Sequence, residues 1–195
     1  MPQKLFPARL SFVLDHPVRR WLTPLPERLR SLGVSPGMTV LELGCGTGFT
    51  LPALQELVGP SGRIVGLDLQ PALLEKARQK IQPGASVELR VADATQLELP
   101  DQSVDLVLAY FSFHEFTDRA GVVREARRIL RKDGQFALWQ PHLVVDGWRM
   151  RGWEGLFWGQ QFELLERIES PLGRGFRFKA VETPRGSRLR PPELA

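Results

Sequence analysis

The stretch of residues 39–50, TVLELGCGTGFT, constrains the fold of this chain more than any other. Val40, Leu41 and Leu43 form a short apolar run that is typical of a buried parallel strand, and apolar residues at helical spacing follow the glycines. A strand that enters a glycine-rich turn and then a helix presents unpaired backbone N–H groups to a ligand. This stretch therefore predicts a ligand-binding α/β domain.

The spacing of the glycines distinguishes between ligands. The dinucleotide fingerprint is G-x-G-x-x-G, whereas Gly44, Gly46 and Gly48 give G-x-G-x-G, and Phe49 follows them. Glu42, at the end of the predicted strand, would repel a pyrophosphate but could hold an ammonium group. The pattern favours a nucleoside with a positively charged tail over a dinucleotide.

These residues resemble the first motif, E-x-G-x-G-x-G, of the class I S-adenosylmethionine-dependent methyltransferases, which Glu42 and the three glycines match position for position. The resemblance covers residues 37–182, and VREARRILRKDG at 123–134 resembles the small-molecule and lipid-directed branch, which includes ubiquinone and menaquinone methyltransferases. It implies an α/β, Rossmann-like fold with a seven-stranded, mostly parallel sheet in the order 3-2-1-4-5-7-6 and a C-terminal antiparallel hairpin. The implied cofactor is S-adenosyl-L-methionine.

Three segments are expected along the chain. Residues 1–36 are broken by several prolines and form either a packing arm or a lid over the cofactor, residues 37–182 form the methyltransferase domain, and residues 183–195 form a flexible tail. Periodicity predicts a helix from about residue 118 to 130 that Gly134 terminates, and a closing hairpin from residues 162–169 and 176–182 with a loop between them.

Two acidic residues follow later strands. Asp68 lies 20 residues after Gly48 at the end of the second predicted strand, an offset that suits a carboxylate on the two ribose hydroxyls. The alternative for Asp68 is a helix cap ahead of Pro71. Asp93 and Ala94 follow the third strand, where the resemblance implies contacts to the adenine amino group and ring; the alternative is a plain turn acid.

The remaining predicted cofactor residues are neighbours of these motifs. Cys45 lies inside the glycine turn and Leu69 follows Asp68. Tyr110 and Phe111 follow the fourth strand, at the edge of an α/β sheet where ligands bind, and we expect them to flank the cofactor.

Methyl transfer chiefly requires alignment of the acceptor, and a general base helps when the attacking group must lose a proton. His114 follows the fourth strand and is the first candidate for this base, with Glu115 as the second. The alternative is that His114 only packs or caps locally.

The formal net charge of +4 leaves three functions open. The first is a methyltransferase for a small-molecule or lipid acceptor. The second is an RNA methyltransferase whose arm and tail contact phosphates through Arg174, Arg177, Lys179, Arg185, Arg188 and Arg190. The third is a non-catalytic module that binds the same cofactor. The aromatic segment 148–158 is interpreted either as a core helix or as a substrate-facing wall that touches lipid.

Cys45 is the single cysteine, so no disulfide can form within the chain, which favours a reducing compartment and predicts a cytoplasmic location. The lone cysteine also argues against a structural zinc site, and no metal is expected. Because no apolar run approaches the ~18 residues of a membrane span, we expect neither a transmembrane helix nor a signal peptide.

Overall fold

The computed structural model describes residues 24–83, 86–142, 145 and 147–182. The helices are α1 Leu25–Ser31, α2 Leu51–Val58, α3 Pro71–Arg78, α4 Arg119–Ile129 and α5 Gly147–Trp158. The strands are β1 Thr39–Leu43, β2 Arg63–Asp68, β3 Ser86–Val91, β4 Val104–Tyr110, β5 Leu130–Pro141, β6 Phe162–Ser170 and β7 Gly173–Ala180. The predicted tail at 183–195 and most of the predicted arm lie outside the described residues.

The strands form one sheet in the order β3-β2-β1-β4-β5-β7-β6. The first five are parallel, and β7 runs antiparallel to both β5 and β6. This arrangement confirms the predicted fold, including the order of the strands. Because β1 lies between β2 and β4, its carboxyl end lies near the middle of the edge at which the parallel strands end.

Both faces of the sheet are covered, which explains why the central strands are apolar throughout. One face carries Val40 and Leu108 beneath α1, α2 and α3. The other carries Leu41 and Val107 beneath α4 and α5. The second face is rich in aromatic rings, among them Trp153 and Phe157 of α5, whose burial agrees with the core interpretation of that helix.

The helix before β5 ends close to residue 130, as predicted, but Gly134 is not what stops it. Asp118 caps α4 by accepting from the Gly121 N–H at 2.8 Å, but the helix stops at Ile129 and Leu130 already pairs with Val104. Gly134 therefore does not terminate the helix, and that prediction was wrong. The physical reason is that Leu130 is fully buried and already pairs with β4. A register shift between the Val104–Leu130 and Leu106–Gln135 pairs accommodates residues 131–134.

The closing hairpin is confirmed, but its turn is shorter than the predicted loop. Only residues 171–172 separate β6 from β7, because Gly173 and Gly175 belong to the strand. A Cβ on Gly175 would lie 2.8 Å from the Trp139 ring, and one on Gly173 would lie 2.4 Å from the Gln140 carbonyl. These glycines allow β7 to pack closely on β5 rather than forming the turn.

No helix within the described ranges is long and apolar enough to cross a membrane.

Candidate active site

A cavity lies at the carboxyl edge of the parallel strands, between the ends of β1, β2 and β4 and the segment after β3. Ligands bind at this edge in open α/β sheets because the loops there diverge. All but one of the predicted cofactor residues line it: Glu42, Gly44, Cys45, Gly46, Asp68, Leu69, Asp93, Ala94, Tyr110 and Phe111. The sequence motifs thus converge on one site, and Gly48 is the exception.

The glycine turn, residues 44–48, separates ligand-facing from packing positions. Gly44, Gly46 and Gly48 all have positive φ angles, which favour glycine. A Cβ on Gly46 would meet nothing within 4 Å, so its backbone faces open space. A Cβ on Gly44 would lie 2.6 Å from the Ser112 Cβ, and one on Gly48 would lie 3.1 Å from the Ala77 Cα. Gly46 is therefore the position where a bound group can approach the backbone.

Asp68 ties the glycine turn to the end of β2. Its carboxylate accepts from the backbone N–H groups of Gly46 and Gln70, each at 2.9 Å. Burial raises the pKa of the Asp68 carboxyl, while these hydrogen bonds oppose the shift. The same side chain therefore holds the turn in place and presents a carboxylate to the cavity.

Glu42 is a buried carboxylate, only 2% exposed, at the end of β1. The Thr50 hydroxyl, at the start of α2, lies 2.6 Å from both carboxylate oxygens and donates its single proton to this carboxylate. Burial raises the pKa of the neighbouring Cys45 thiol, and the negative charges of Glu42 and Asp68 raise it further. Cys45 is accordingly a protonated, apolar wall of the cavity.

Asp93 lies at the exposed rim of the cavity beside the buried Ala94. Its Oδ1 accepts from the backbone N–H and the hydroxyl of Thr95, both at 2.8 Å. Asp93 therefore forms a local turn, as one interpretation predicts, and it also lines the cavity.

The β4 turn, residues 110–116, forms the opposite wall. Phe111 has a φ of 63°, which is rare for a residue other than glycine, and its N–H donates to the Trp139 carbonyl at 2.8 Å. The Ser112 hydroxyl donates to the Leu43 carbonyl at 2.5 Å, and the Tyr110 ring lies 4.7 Å from that of Phe111. Contacts to β1 and β5 thus hold an aromatic wall in a strained conformation.

The two predicted base candidates occupy different places. Glu115 lines the cavity, whereas His114 does not and faces β5. The His114 Nδ1 lies 2.7 Å from the Gln140 Oε1, and its Nε2 lies 3.9 Å from the Glu115 Oε1. The cavity therefore contains the carboxylate that the sequence ranked second.

Burial shifts the pKa values of Glu115 and His114 in opposite directions, because it disfavours the charged form of each group. Burial raises the pKa of the Glu115 carboxyl to about 7, with a contribution from the negative charge of Asp68. Burial lowers the pKa of the His114 imidazole, and the nearby Arg119 guanidinium lowers it further. Near neutral pH, Glu115 can thus exchange a proton while the His114 ring is mostly neutral.

Three supporting residues were not predicted from the sequence: Thr50, Ser112 and Gln140. Thr50 follows Glu42 by eight residues and caps nothing, since α2 has no side-chain cap hydrogen bond. A hydroxyl two residues after the glycine turn is the signal that could have found it. Ser112 and Gln140 gain their partners only through the pairing of distant strands. In the described part of the chain, no group of three or more potential ligands could hold a metal ion.

Comparison with known proteins identifies the family. A model described as "Methyltransferase domain" matches residues 41–138, half of the chain. Demethylmenaquinone methyltransferase of Lactobacillus johnsonii is 34% identical over 131 residues, which cover 66% of this chain and 54% of that protein. An uncharacterised 37.1 kDa transposon protein of Streptomyces fradiae is 35% identical over 113 residues, 58% of this chain and 33% of that protein. The chain thus spans about half or less of the length of these relatives.

Solved structures show the same fold. The structure of an S-adenosylmethionine-dependent methyltransferase from Aquifex aeolicus aligns with a TM-score of 0.82 at 24% identity and covers 91% of this chain and 100% of that one. The residues that match the family model, 41–138, include the glycine turn, Asp68 and Asp93, which lie together at the cavity. This chain belongs to the family of class I, S-adenosylmethionine-dependent methyltransferases.

Proposed function

We propose that this chain binds S-adenosyl-L-methionine and transfers its methyl group to a small-molecule acceptor. The observation that carries this proposal is the convergence of three carboxylates, Glu42, Asp68 and Asp93, on one cavity beside the open backbone of Gly46. An adenosyl sulfonium with an amino-acid tail offers three matching sets of donors: an ammonium, two vicinal hydroxyls and an exocyclic amine.

The residues present fit this cofactor. The buried carboxylate of Glu42 would hold the ammonium, Asp68 would accept from the ribose hydroxyls, and Asp93 would accept from the adenine amine. Ala94 leaves room for the base, and a Cβ on Gly46 would occupy the space that a ligand needs. Cys45, Leu69, Tyr110 and Phe111 would form the walls, while Gly48 would act only by holding the turn. When bound, the cofactor supplies an electrophilic methyl group on a positively charged sulfur.

Glu115 is our proposed general base, in preference to His114, because it lies in the cavity. A carboxyl with a pKa of about 7 is ionised above neutral pH and retains its proton below it. We therefore expect turnover to increase as the pH rises through about 7, which is the pKa of the Glu115 carboxyl.

The acceptor is proposed to be a small molecule with an apolar or aromatic body. Phe49, Tyr110, Phe111 and Phe116 line the cavity, and aromatic faces of this kind bind planar or apolar groups. The similarity to demethylmenaquinone methyltransferases points to the same class of acceptor.

The described basic residues give less support to an RNA acceptor. Each of the three described residues that would contact RNA forms an ion pair with a carboxylate: Arg174 with Glu169, Arg177 with Glu166, and Lys179 with Asp133. Phosphate binding would have to replace these pairs. Arg185, Arg188 and Arg190 lie outside the described residues.

Titration with S-adenosylhomocysteine, followed by a turnover screen, tests the proposal. Gly46→Leu should abolish binding because the new side chain fills the cavity. Gly59→Leu is a matched control, since Gly59 also has a positive φ and open space around its Cβ but does not line the cavity. Equal affinity in the two variants would refute the assignment of the site.

For turnover, cell extract is incubated with methyl-labelled cofactor and the labelled product is identified. A labelled small molecule or lipid supports the proposal, and labelled RNA supports the RNA alternative. Binding of S-adenosylhomocysteine without any labelled product would support the non-catalytic module.

A further inference from the structure

The segment between β3 and β4, residues 92–103, brings Asp93 and Ala94 to the cavity without a helix or strand of its own. Within it, the Gln96 N–H donates to the Asp93 carbonyl at 3.0 Å, which closes a tight turn at the cavity. Beyond that turn, the backbone groups of an irregular segment need partners on other elements wherever they are shielded from water. The position of the Asp93 turn therefore depends on what holds the rest of the segment.

Helix α4 provides such partners along one of its faces. Gly121, Glu125 and Arg128 are spaced by four and three residues, so they lie on the same face of the helix. At Gly121 the two elements nearly touch, because a Cβ there would lie 3.2 Å from the Thr95 Cγ2. One turn further along, the Glu125 Oε2 accepts from the Leu97 N–H at 3.0 Å. The contacts with α4 thus begin directly beside the residues that line the cavity.

Arg128 holds two backbone carbonyls of the segment at once. Its Nη1 donates to the Leu99 carbonyl at 2.9 Å, and its Nη2 donates to the Leu97 carbonyl at 2.7 Å. Its Nε and Nη2 also donate to the two Glu125 carboxylate oxygens, at 3.1 and 2.9 Å, and these hydrogen bonds lower the pKa of Glu125. Asp101 forms a further ion pair with Arg128, but its side chain is 72% exposed, and such pairs contribute little. A lysine ammonium could not join two carbonyls and a carboxylate in this way, because it lacks the planar fork of the guanidinium.

The segment is also anchored by its side chains and from β3. Leu97 and Leu99 are buried in the same core cluster as Val122 of α4. On the other side, the Arg90 Nη1 of β3 donates to the Glu98 carbonyl at 2.8 Å. The position of the segment is thus set by contacts with α4 and β3.

We propose that Arg128 and Glu125 are positioning residues for adenine recognition: by fixing the segment after β3, they hold the Asp93 carboxylate where it selects a base with an exocyclic amine. This inference rests on the proposed function. Neither side chain touches the cofactor in this scheme. The proposal gives a role to the stretch 123–134, which contains both residues and lies outside the cavity.

The choice of base should be more sensitive to this positioning than the affinity for the whole cofactor. The Asp93 Oδ1 is held by Thr95, so the direction in which the carboxylate faces follows the backbone of the segment. A hydrogen bond weakens steeply when it is misaligned. The other groups assigned to the cofactor, Glu42, Asp68 and the Gly46 backbone, lie on β1, β2 and the glycine turn, which α4 does not hold through Arg128. A displaced segment should therefore lose its preference for adenine before it loses the rest of the cofactor.

Two ligands that differ only at the base test the proposal with the whole chain. S-inosylhomocysteine has a carbonyl where S-adenosylhomocysteine has the exocyclic amine, and calorimetric titration gives the ratio of their Kd values. We expect the wild type to prefer the adenosyl ligand about tenfold, because the carbonyl offers no donor to Asp93. Arg128→Lys should lower this preference to about threefold.

A neighbouring arginine provides the matched control. Arg127 also lies on α4, and its Nη2 donates to the Val181 carbonyl at 2.9 Å, away from the cavity. Arg127→Lys should keep the preference at about tenfold, whatever its effect on stability. Glu125→Ala is a second variant that removes the acceptor of the Leu97 N–H and a partner of Arg128, and it should also lower the preference to about threefold.

A double-mutant cycle separates positioning from a general loss of stability. Asp93→Ala should lower the preference to about twofold, and adding Arg128→Lys to it should not change the ratio further. A role in stability alone predicts that Arg128→Lys weakens both ligands equally and preserves the wild-type ratio, which would overturn the proposal. A further fall of the ratio in the double variant would also overturn it, because Arg128 would then act other than through Asp93.

The outcomes separate this inference from the proposed function. If the wild type binds neither ligand, the proposed function itself fails. If the wild type binds both ligands equally, the assignment of Asp93 to the adenine amine fails and this inference fails with it, while the cofactor site remains. If the wild type prefers the adenosyl ligand and Arg128→Lys and Glu125→Ala prefer it to the same extent, only the positioning role is refuted.

Discussion

The glycine turn after β1 and the β4 turn form opposite walls of one cavity, but they are built differently. The glycine turn reaches positive φ angles with glycines, so its shape follows from the local sequence. The β4 turn reaches one with Phe111, and contacts to Trp139, Gln140 and Arg119 hold it. The comparison shows that a motif with local causes can be found by reading the chain, whereas a turn held by distant residues cannot.

The largest effect is expected where the two turns touch. A Cβ on Gly44 would lie 2.6 Å from that of Ser112, so Gly44→Ala combines overpacking with backbone strain. We expect it to lower the free energy of unfolding by about 3 kcal/mol, as measured by urea denaturation. Gly59→Ala has similar backbone strain without the clash and should cost about 1 kcal/mol. Equal costs would show that the turns are not coupled through this contact.

The carboxylates of the cofactor wall should differ in their contributions to binding. Asp68→Ala removes a half-buried carboxylate that also holds the glycine turn, and we expect a loss of about 2 kcal/mol in the free energy of S-adenosylhomocysteine binding. Asp93→Ala acts at an exposed position and should cost about 1 kcal/mol. Asp101→Ala, which lies outside the cavity, is the control in the same calorimetric titration. A larger loss at Asp93 would reverse the proposed order.

Strain at Phe111 can be separated from the contact that its ring makes. Phe111→Ala loses the contact with Tyr110 and keeps the positive φ, so we expect a loss of stability of about 1 kcal/mol. Phe111→Gly loses the same ring but relieves the strain, which is worth about 1 kcal/mol. The glycine variant should therefore unfold at a higher urea concentration than the alanine variant. The reverse order would mean that the conformation carries no strain.

The smallest effect concerns Glu115 and depends on pH. Its folded-state pKa, about 7, exceeds the 4.5 of an ordinary glutamate, so ionisation disfavours the folded state as the pH rises from about 4.5 through 7. Glu115→Gln is always neutral and should have a Tm a few degrees above that of the wild type at pH 8.5. At pH 4.5 the two proteins should melt together. A Tm difference that does not change with pH would contradict the raised pKa.

Much of the fold could be predicted because its causes are short-range. Apolar runs gave the central strands, and the alternation of strands with helices, together with the family resemblance, gave the order of the sheet. The end of the helix near residue 130 was predicted, but Gly134 was wrongly taken for its stop, because Leu130 already pairs with Val104 and only contacts across the sheet reveal that. The predicted length of the hairpin turn was wrong for a similar reason, because Gly173 and Gly175 were taken for turn residues although they pack against β5.

The same division holds for the site. Glu42, Asp68 and Asp93 were brought to one cavity because each follows a parallel strand, and parallel strands end at the same edge of the sheet. Which of His114 and Glu115 faces the cavity could not be derived in this way. Adjacent residues in a tight turn point in different directions, and Gln140, 26 residues away, is the partner that His114 faces.

By itself, the sequence determined the strand–turn–helix unit, the spacing of its glycines and the edge of the sheet where the carboxylates meet, because these depend on neighbouring residues and on the period of the strands. Only the tertiary structure decided which glycine faces the ligand and which of two adjacent side chains enters the cavity. Those choices depend on what lies across the sheet, such as Ser112 against Gly44 and Gln140 against His114.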